Sequence, residues 1–300
     1  MAEPSPVFGH RLLAMAQGRD VPPALRRGAT LAALALLALG TWAALTRTPL
    51  DPAQMRLAPL LWLVALALPA TITLNATEME LSARLIGARF GVGRALRLTI
   101  FASAANMLPL PGAAMVRLAG LSAAGGSLKS GGAVTLMIAL MWLGVAFAAS
   151  GLFLLAPAPG FGAPALALGL GLTALALVWA RRVSGGWAGG LGIAAVKLAL
   201  VAVSVLRIKL CLAALGVPAS LPQVSVFAVA GVLGSAISVV PAGLGVREAV
   251  SAALAPIVRL PAGAAFLATA LDRLLGMAVM LMLAGLLVLR EALPSRGAVR

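Results

Sequence analysis

Charged residues make up only 10% of this 300-residue chain, and several stand where charge is costly. Arg247 and Glu248 follow directly on Pro241, Gly243 and Gly245, inside an otherwise apolar run from Val224 to Val258. Upstream, Asn106, Pro109, Pro111 and Gly112 form a second breaker cluster, with Arg117 just beyond it. Asp272 and Arg273 interrupt a third apolar run, 263–290. Proline lacks an amide donor and glycine gives up backbone order, so neither cluster can continue a regular helix. In lipid such a break survives only where protein or a cavity satisfies the freed backbone groups, a task that falls to Asn106 at the first break. Intramembrane charge is itself a functional pointer.

The chemistry these types could perform is anion binding. Arg117 and Arg247 occupy matching places after the two breaks, and paired guanidiniums can grip a phosphate bidentately, assisted by exposed helix N-termini. Arg273 could face the same ligand. A structural reading stands beside this one, in which Arg117 snorkels to the cytoplasmic face and Arg247 pairs with Glu248 or Asp272 as a lock. Asp272 and Arg273 are sequence neighbours about 100° apart on a helix, roughly 15 Å from its start, so each needs a partner elsewhere. An internal ion-pair network is the alternative to a substrate role for that pair. The substrate-binding candidates are therefore Arg247, Arg273, Arg117, Asp272, Glu248 and Asn106. The structural breaks are Pro109, Pro111, Gly112, Pro241, Gly243 and Gly245. A single histidine, His10, and a single cysteine, Cys211, leave no metal set, disulfide or triad, and no cofactor or catalytic residue is assigned.

The elements that must position these residues are membrane helices. At 62% hydrophobic the composition excludes an ordinary soluble domain, and the runs are too long and unalternating for a barrel. The expectation is an all-α polytopic membrane protein with eight apolar segments. Six are full spans, 28–45, 58–76, 131–156, 164–180, 190–215 and 263–290, and two are re-entrant broken-helix hairpins. Residues 1–27 form a cytoplasmic tail, read as preceding a signal anchor rather than a cleaved signal, and 291–300 a second cytoplasmic tail. With both hairpins re-entrant, fifteen of the 23 basic residues fall on the cytoplasmic side and Arg47, Arg56 and Arg259 outside, as the positive-inside rule demands. The net charge of +15 is thus a matter of orientation rather than of nucleic-acid binding. Trp42 and Trp62 fall near the outer boundary and Trp179 and Trp187 near the inner one, while Trp142 reads as plain packing.

Within the single transmembrane domain, 28–290, the order helix, helix, broken hairpin, helix occurs twice, over 28–156 and 164–290. Three crossings per half make the halves oppositely oriented, an inverted repeat of the kind secondary transporters use.

The two breaker motifs, Asn106-x-x-Pro109-x-Pro111-Gly112-x4-Arg117 and Pro241-x-Gly243-Leu-Gly245-x-Arg247-Glu248, resemble the paired signatures of the lysylphosphatidylglycerol synthase transmembrane-region family, the flippase-like domain. The basic stretch before the first motif and the Arg273 helix fit as well, so the resemblance covers about 28–290. It implies a bacterial inner-membrane protein that moves a phospholipid or lipid-linked anionic substrate between leaflets. The chain ends ten residues after its last apolar run, so no soluble synthase domain, and no lysyl transfer, is expected of it. Lys129-Ser-Gly-Gly132 stands where many relatives carry a Glu-Arg pair, so the resemblance does not extend to the identity of the lipid.

Other charges complete the reading. Lys197 is placed to snorkel to the inner boundary; Arg207 lies deeper. Glu78 and Glu80 open a basic amphipathic segment expected on the membrane surface, as an exposed pair balancing Arg84 or, alternatively, as a carboxylate base. Partners are membrane lipids, an anionic phospholipid or lipid-linked sugar among them, with a separately encoded synthase or transferase. No G-x4-G-K-[ST] motif is present, and the chain reads as a translocase rather than an enzyme. A membrane-embedded glycosyl- or acyltransferase component, or a small-anion transporter, are the alternatives.

Overall fold

A computed structural model describes residues 23–47, 55–106, 112–236 and 245–292, which hold helices and turns and no strand. Pro109, Pro111, Pro241 and Gly243, and the terminal stretches 1–22 and 293–300, lie outside the described residues. The helices are α1 (Pro23–Arg47), α2 (Ala58–Leu85), α3 (Val92–Ala105), α4 (Gly112–Ala123), α5 (Leu128–Leu154) and α6 (Pro159–Ser184). There follow α7 (Ala188–Ala214), the short α8 (Leu221–Ser225), α9 (Ala228–Ala236), α10 (Val246–Leu254), a 3₁₀ turn (Ala255–Val258) and α11 (Ala262–Ala292).

Five of these, α2, α5, α6, α7 and α11, are long and apolar enough to cross a membrane. The chain is a helical, membrane-type protein. Its outer surface agrees: Leu61, Leu66, Leu168, Leu175, Leu281 and Leu289 all face outward, the reverse of a soluble bundle.

Helix α2 runs past its expected end at 76 without a break. Thr71, Thr73 and Thr77 fold their hydroxyls onto carbonyls one turn back, at 2.8–2.9 Å, so polar residues do not interrupt it. Near its start the helix widens into a π turn over Leu63–Ala67, where the Leu68 amide donates to Leu63. Pro69 explains the widening, because its ring would collide with the carbonyl four residues back in a regular helix. Beyond Leu85 the chain turns on Gly87 and Gly91, both at positive φ (77° and 74°). The Glu80 carboxylate accepts the amides of Phe90 and Gly91 at 2.9 and 3.2 Å and holds that turn. The surface segment expected from Glu78 onward is therefore interior helix for its first two turns.

Two antiparallel pairs organise the bundle. In the α5–α6 hairpin glycines remove the side chains from the seam: a Cβ on Gly144 would lie 2.6 Å from Thr173 Oγ1, and one on Gly162 2.6 Å from the Leu154 carbonyl carbon. Gly151 and Gly169 meet backbone in the same way. Helices α2 and α7 run antiparallel over their whole length. The Arg56 amide, just before α2, donates to the Ala214 carbonyl at 3.0 Å, Leu81 lies against Gly192, and Leu85 lies against Gly189. The central core, built on Leu63, Met137, Met141, Ile193, Ile208 and Leu212, fills the space between these pairs.

Candidate functional site

Two clusters of ionised side chains sit along the α2–α7 pair. The first is centred on Glu78, which is fully buried and accepts hydrogen bonds from both Arg117 of α4 and Lys197 of α7. The Lys197 ammonium also lies over the Trp142 ring, 4.7 Å from its centroid. Three of the sequence expectations change here. Glu78 is not half of an exposed pair, Lys197 does not snorkel, and Trp142 does more than fill space. Glu80 keeps its expected salt bridge with Arg84, at 2.9 Å. One carboxylate is drawn inside because two cations meet it there, while the other stays at the rim.

The second cluster joins α7, α10 and α11. Asp272 is fully buried, and each of its oxygens is taken: Oδ1 accepts from Arg207 Nε at 2.8 Å and Oδ2 from Arg247 Nη2 at 3.1 Å. Glu248, equally buried, accepts from Arg273 Nη1 through both oxygens, at 2.8 and 3.1 Å. Adjacent Arg-Glu on α10 thus meets adjacent Asp-Arg on α11 in crossed pairs, since neighbours on one helix cannot reach each other. Arg207 Nη1 further donates to Thr71 Oγ1 on α2 at 3.3 Å. Seven residues separate Thr71 from Glu78, which sets the two clusters about 10 Å apart along α2.

Local sequence positions these groups. Gly245, at φ 78°, turns the chain directly into α10, so that Arg247 and Glu248 open the helix. Gly231 of α9 lies beside the Arg247 guanidinium, where a Cβ would be 3.7 Å from its Cζ. Gly276 on α11 makes the same room for Arg207, at 3.3 Å from its Nη2. Gly112 opens α4, five residues before Arg117. Asn106 ends α3, is exposed, and among the described residues is hydrogen-bonded to neither cluster.

Charge and exposure are unevenly shared. Glu78 with Arg117 and Lys197 carries one excess positive charge, and so do Asp272 and Glu248 with Arg207, Arg247 and Arg273. The three carboxylates are wholly sealed, whereas Arg247 and Arg117 keep 23% and 20% of their side chains exposed, against 12%, 7% and 2% for Arg207, Arg273 and Lys197. Among the described residues, the open side of each cluster is therefore a guanidinium in a group with one more cation than carboxylate. Such a surface attracts an oxyanion and offers it planar donors. No family model matches this chain, and comparison with curated proteins and with solved structures finds no match.

Sequence reasoning did not foresee the pairing roles of Glu78 and Lys197, or the Arg207–Asp272 pair. Arg207 carried a signal, being deep in an apolar run. Glu78 carried none, because its neighbourhood reads as amphipathic. Among the described residues no group of His, Cys, Asp and Glu could hold a metal ion.

Proposed function

We propose that this chain is a flippase-like protein of a bacterial inner membrane, moving a phospholipid or lipid-linked anionic substrate between leaflets. The observation that carries the reading is the pair of net-positive clusters whose accessible members are Arg247 and Arg117. These are the residues that follow the two breaker motifs in which the sequence resembles the flippase-like family. An anionic head group entering at either arginine meets a cation whose carboxylate partner is already shared or sealed. It neutralises the excess charge without displacing the lock. Two such stations along one helix pair, offset by about 10 Å, provide successive resting places for the head group within a core of about 30 Å. The antiparallel packing of α2 on α7, second helices of the two half-repeats, supports the inverted arrangement of 28–156 and 164–290; the six spans, two re-entrant hairpins and cytoplasmic termini proposed with it rest on the distribution of basic residues. A separately encoded synthase or transferase supplies the lipid.

The transferase alternative loses support from the same geometry. Glu78 is held by two cations and Glu80 by Arg84 and two backbone amides, so neither is free to act as a base. The test is reconstitution into liposomes with a panel of labelled anionic and zwitterionic lipids, comparing the wild type with Arg247→Lys and Arg117→Lys. Leaflet exchange of an anionic lipid that falls at least tenfold in the lysine variants, with normal insertion, is the expected result. Exchange that is absent in the wild type, or equal in all three proteins, would remove the reading.

A further inference from the structure

Ser251 lies on α10 one turn beyond Arg247 and Glu248, between them on the same face of the helix. It is 1% exposed, and its hydroxyl has no hydrogen-bond partner among the described residues. That is not the habit of hydroxyls in this bundle. Thr71, Thr135, Thr173, Ser184 and Thr269 each donate to the carbonyl four residues back, at 2.8–2.9 Å. Ser251 leaves the equivalent bond unmade, and a buried polar group without a partner costs free energy that native structures usually avoid. The cost falls beside a cluster that also carries an uncompensated positive charge. A spare neutral donor and a spare cationic charge at one place have a common complement, an oxyanion. The other buried side-chain atoms without a partner among the described residues, Thr99 and Ser122 Oγ, fall on α3 and α4 of the opposite hairpin.

We propose that Ser251 is a ligand contact: its Oγ–H donates to an oxygen of the phosphate-type anion whose other oxygens face Arg247. This rests on the reading of the cluster as the substrate site. The hydroxyl adds direction where the arginine adds charge. The anion supplies the partner that the described residues do not, so the hydroxyl adds to affinity as well as to orientation.

The test uses the full chain in zwitterionic detergent, with melting temperature as the readout. The probes are phosphatidylglycerol in mixed micelles, phosphatidylcholine as the zwitterionic control, and inorganic phosphate. Phosphatidylglycerol is expected to raise the wild-type melting temperature, and Ser251→Ala to shift the midpoint of that titration to a concentration tenfold higher or more, the usual effect of losing a bond to a charged group. Without ligand, Ser251→Ala should melt at the wild-type temperature or above it, since it deletes an unpaired hydroxyl. Stabilisation by inorganic phosphate with the same dependence on Ser251 makes the free anion the ligand, whereas an effect of phosphatidylglycerol alone makes it the lipid head group. A Ser251→Ala protein that binds as well as the wild type overturns the inference while leaving translocation standing. So does one that melts lower without ligand, which would make the serine structural. A wild type insensitive to every probe overturns both.

Discussion

At the residue scale, the structure makes three buried carboxylates the keystones of the charged interior. Removing one partner from a buried ion pair leaves an uncompensated charge and costs about 3–5 kcal/mol. Glu78→Gln leaves both Arg117 and Lys197 without their counter-ion, and should lose stability in that range in a detergent melt. Glu80→Gln, at the rim, should lose only about 1 kcal/mol. Equal effects of the two substitutions would contradict the burial of Glu78. The second cluster allows a sharper comparison, because Asp272 answers two arginines. Arg247→Lys keeps a point charge for Asp272 but loses the planar fork, so stability should hold while transport falls. Arg247→Ala with Asp272→Ala should recover stability only in part, since Arg207 then faces no carboxylate. Full recovery would show that Arg207 contributes nothing to the lock.

At the element scale, the α5–α6 hairpin depends on absent side chains. A Cβ at Gly144 would press on Thr173 Oγ1, the Thr173 amide and the Gly169 carbonyl, at 2.6, 2.7 and 3.0 Å. Gly144→Val should therefore cost about 1–3 kcal/mol, or more if the helices separate. Gly171→Ala, on the same hairpin with open space around it, is the control and should melt as the wild type does. A hairpin indifferent to Gly144→Val would mean the helices are not in this close register. Gly245 has a different role. Its φ of 78° is one that residues with a Cβ resist, by roughly 1–2 kcal/mol. Gly245→Ala should lower the melting temperature and, by turning the start of α10, weaken anion binding at Arg247 together with it.

At the scale of the whole molecule, the prediction concerns how the bundle sits in the bilayer. The proposed arrangement of six spans and two re-entrant hairpins would place residues before Thr30, the region of Arg89 and the residues after Arg290 in the cytoplasm, and the 157–163 and 216–221 turns outside. Single cysteines introduced at these positions into a Cys211→Ala background, labelled in intact cells with an impermeant maleimide, should react only in the two outer turns. Labelling after Arg290 with Arg89 protected would require one hairpin to cross the membrane once, and the inverted repeat would fall with it; labelling at Arg89 would overturn the cytoplasmic placement of the N-terminal tail. Cys211 is buried but free, and alanine is only slightly smaller, so the fold should persist with a modest loss of stability.

Much of this organisation was legible in the chain itself. Long apolar runs specify helices in lipid because a backbone without water must bond to itself, so the class of fold follows from composition and run length. Gly245 was legible for a similar reason, since glycine acts on its own backbone and the chain turns at Gly245 where its type allows. That Asp272 and Arg273 need outside partners follows from helical geometry alone. Which partners they find does not. Arg207 and Asp272 are 65 positions apart and Lys197 and Glu78 119 apart, and nothing local couples them. Only the packing of α2 against α7, and of α10 against α11, decides that Glu78 is an interior counter-ion and Glu80 a turn holder. The extension of α2 beyond 76 belongs to the same class of fact. Polar residues at 71–78 look like the end of a span when read singly, but the threonines bond back onto their own helix and α4 and α7 supply the two cations that make the burial of Glu78 tolerable.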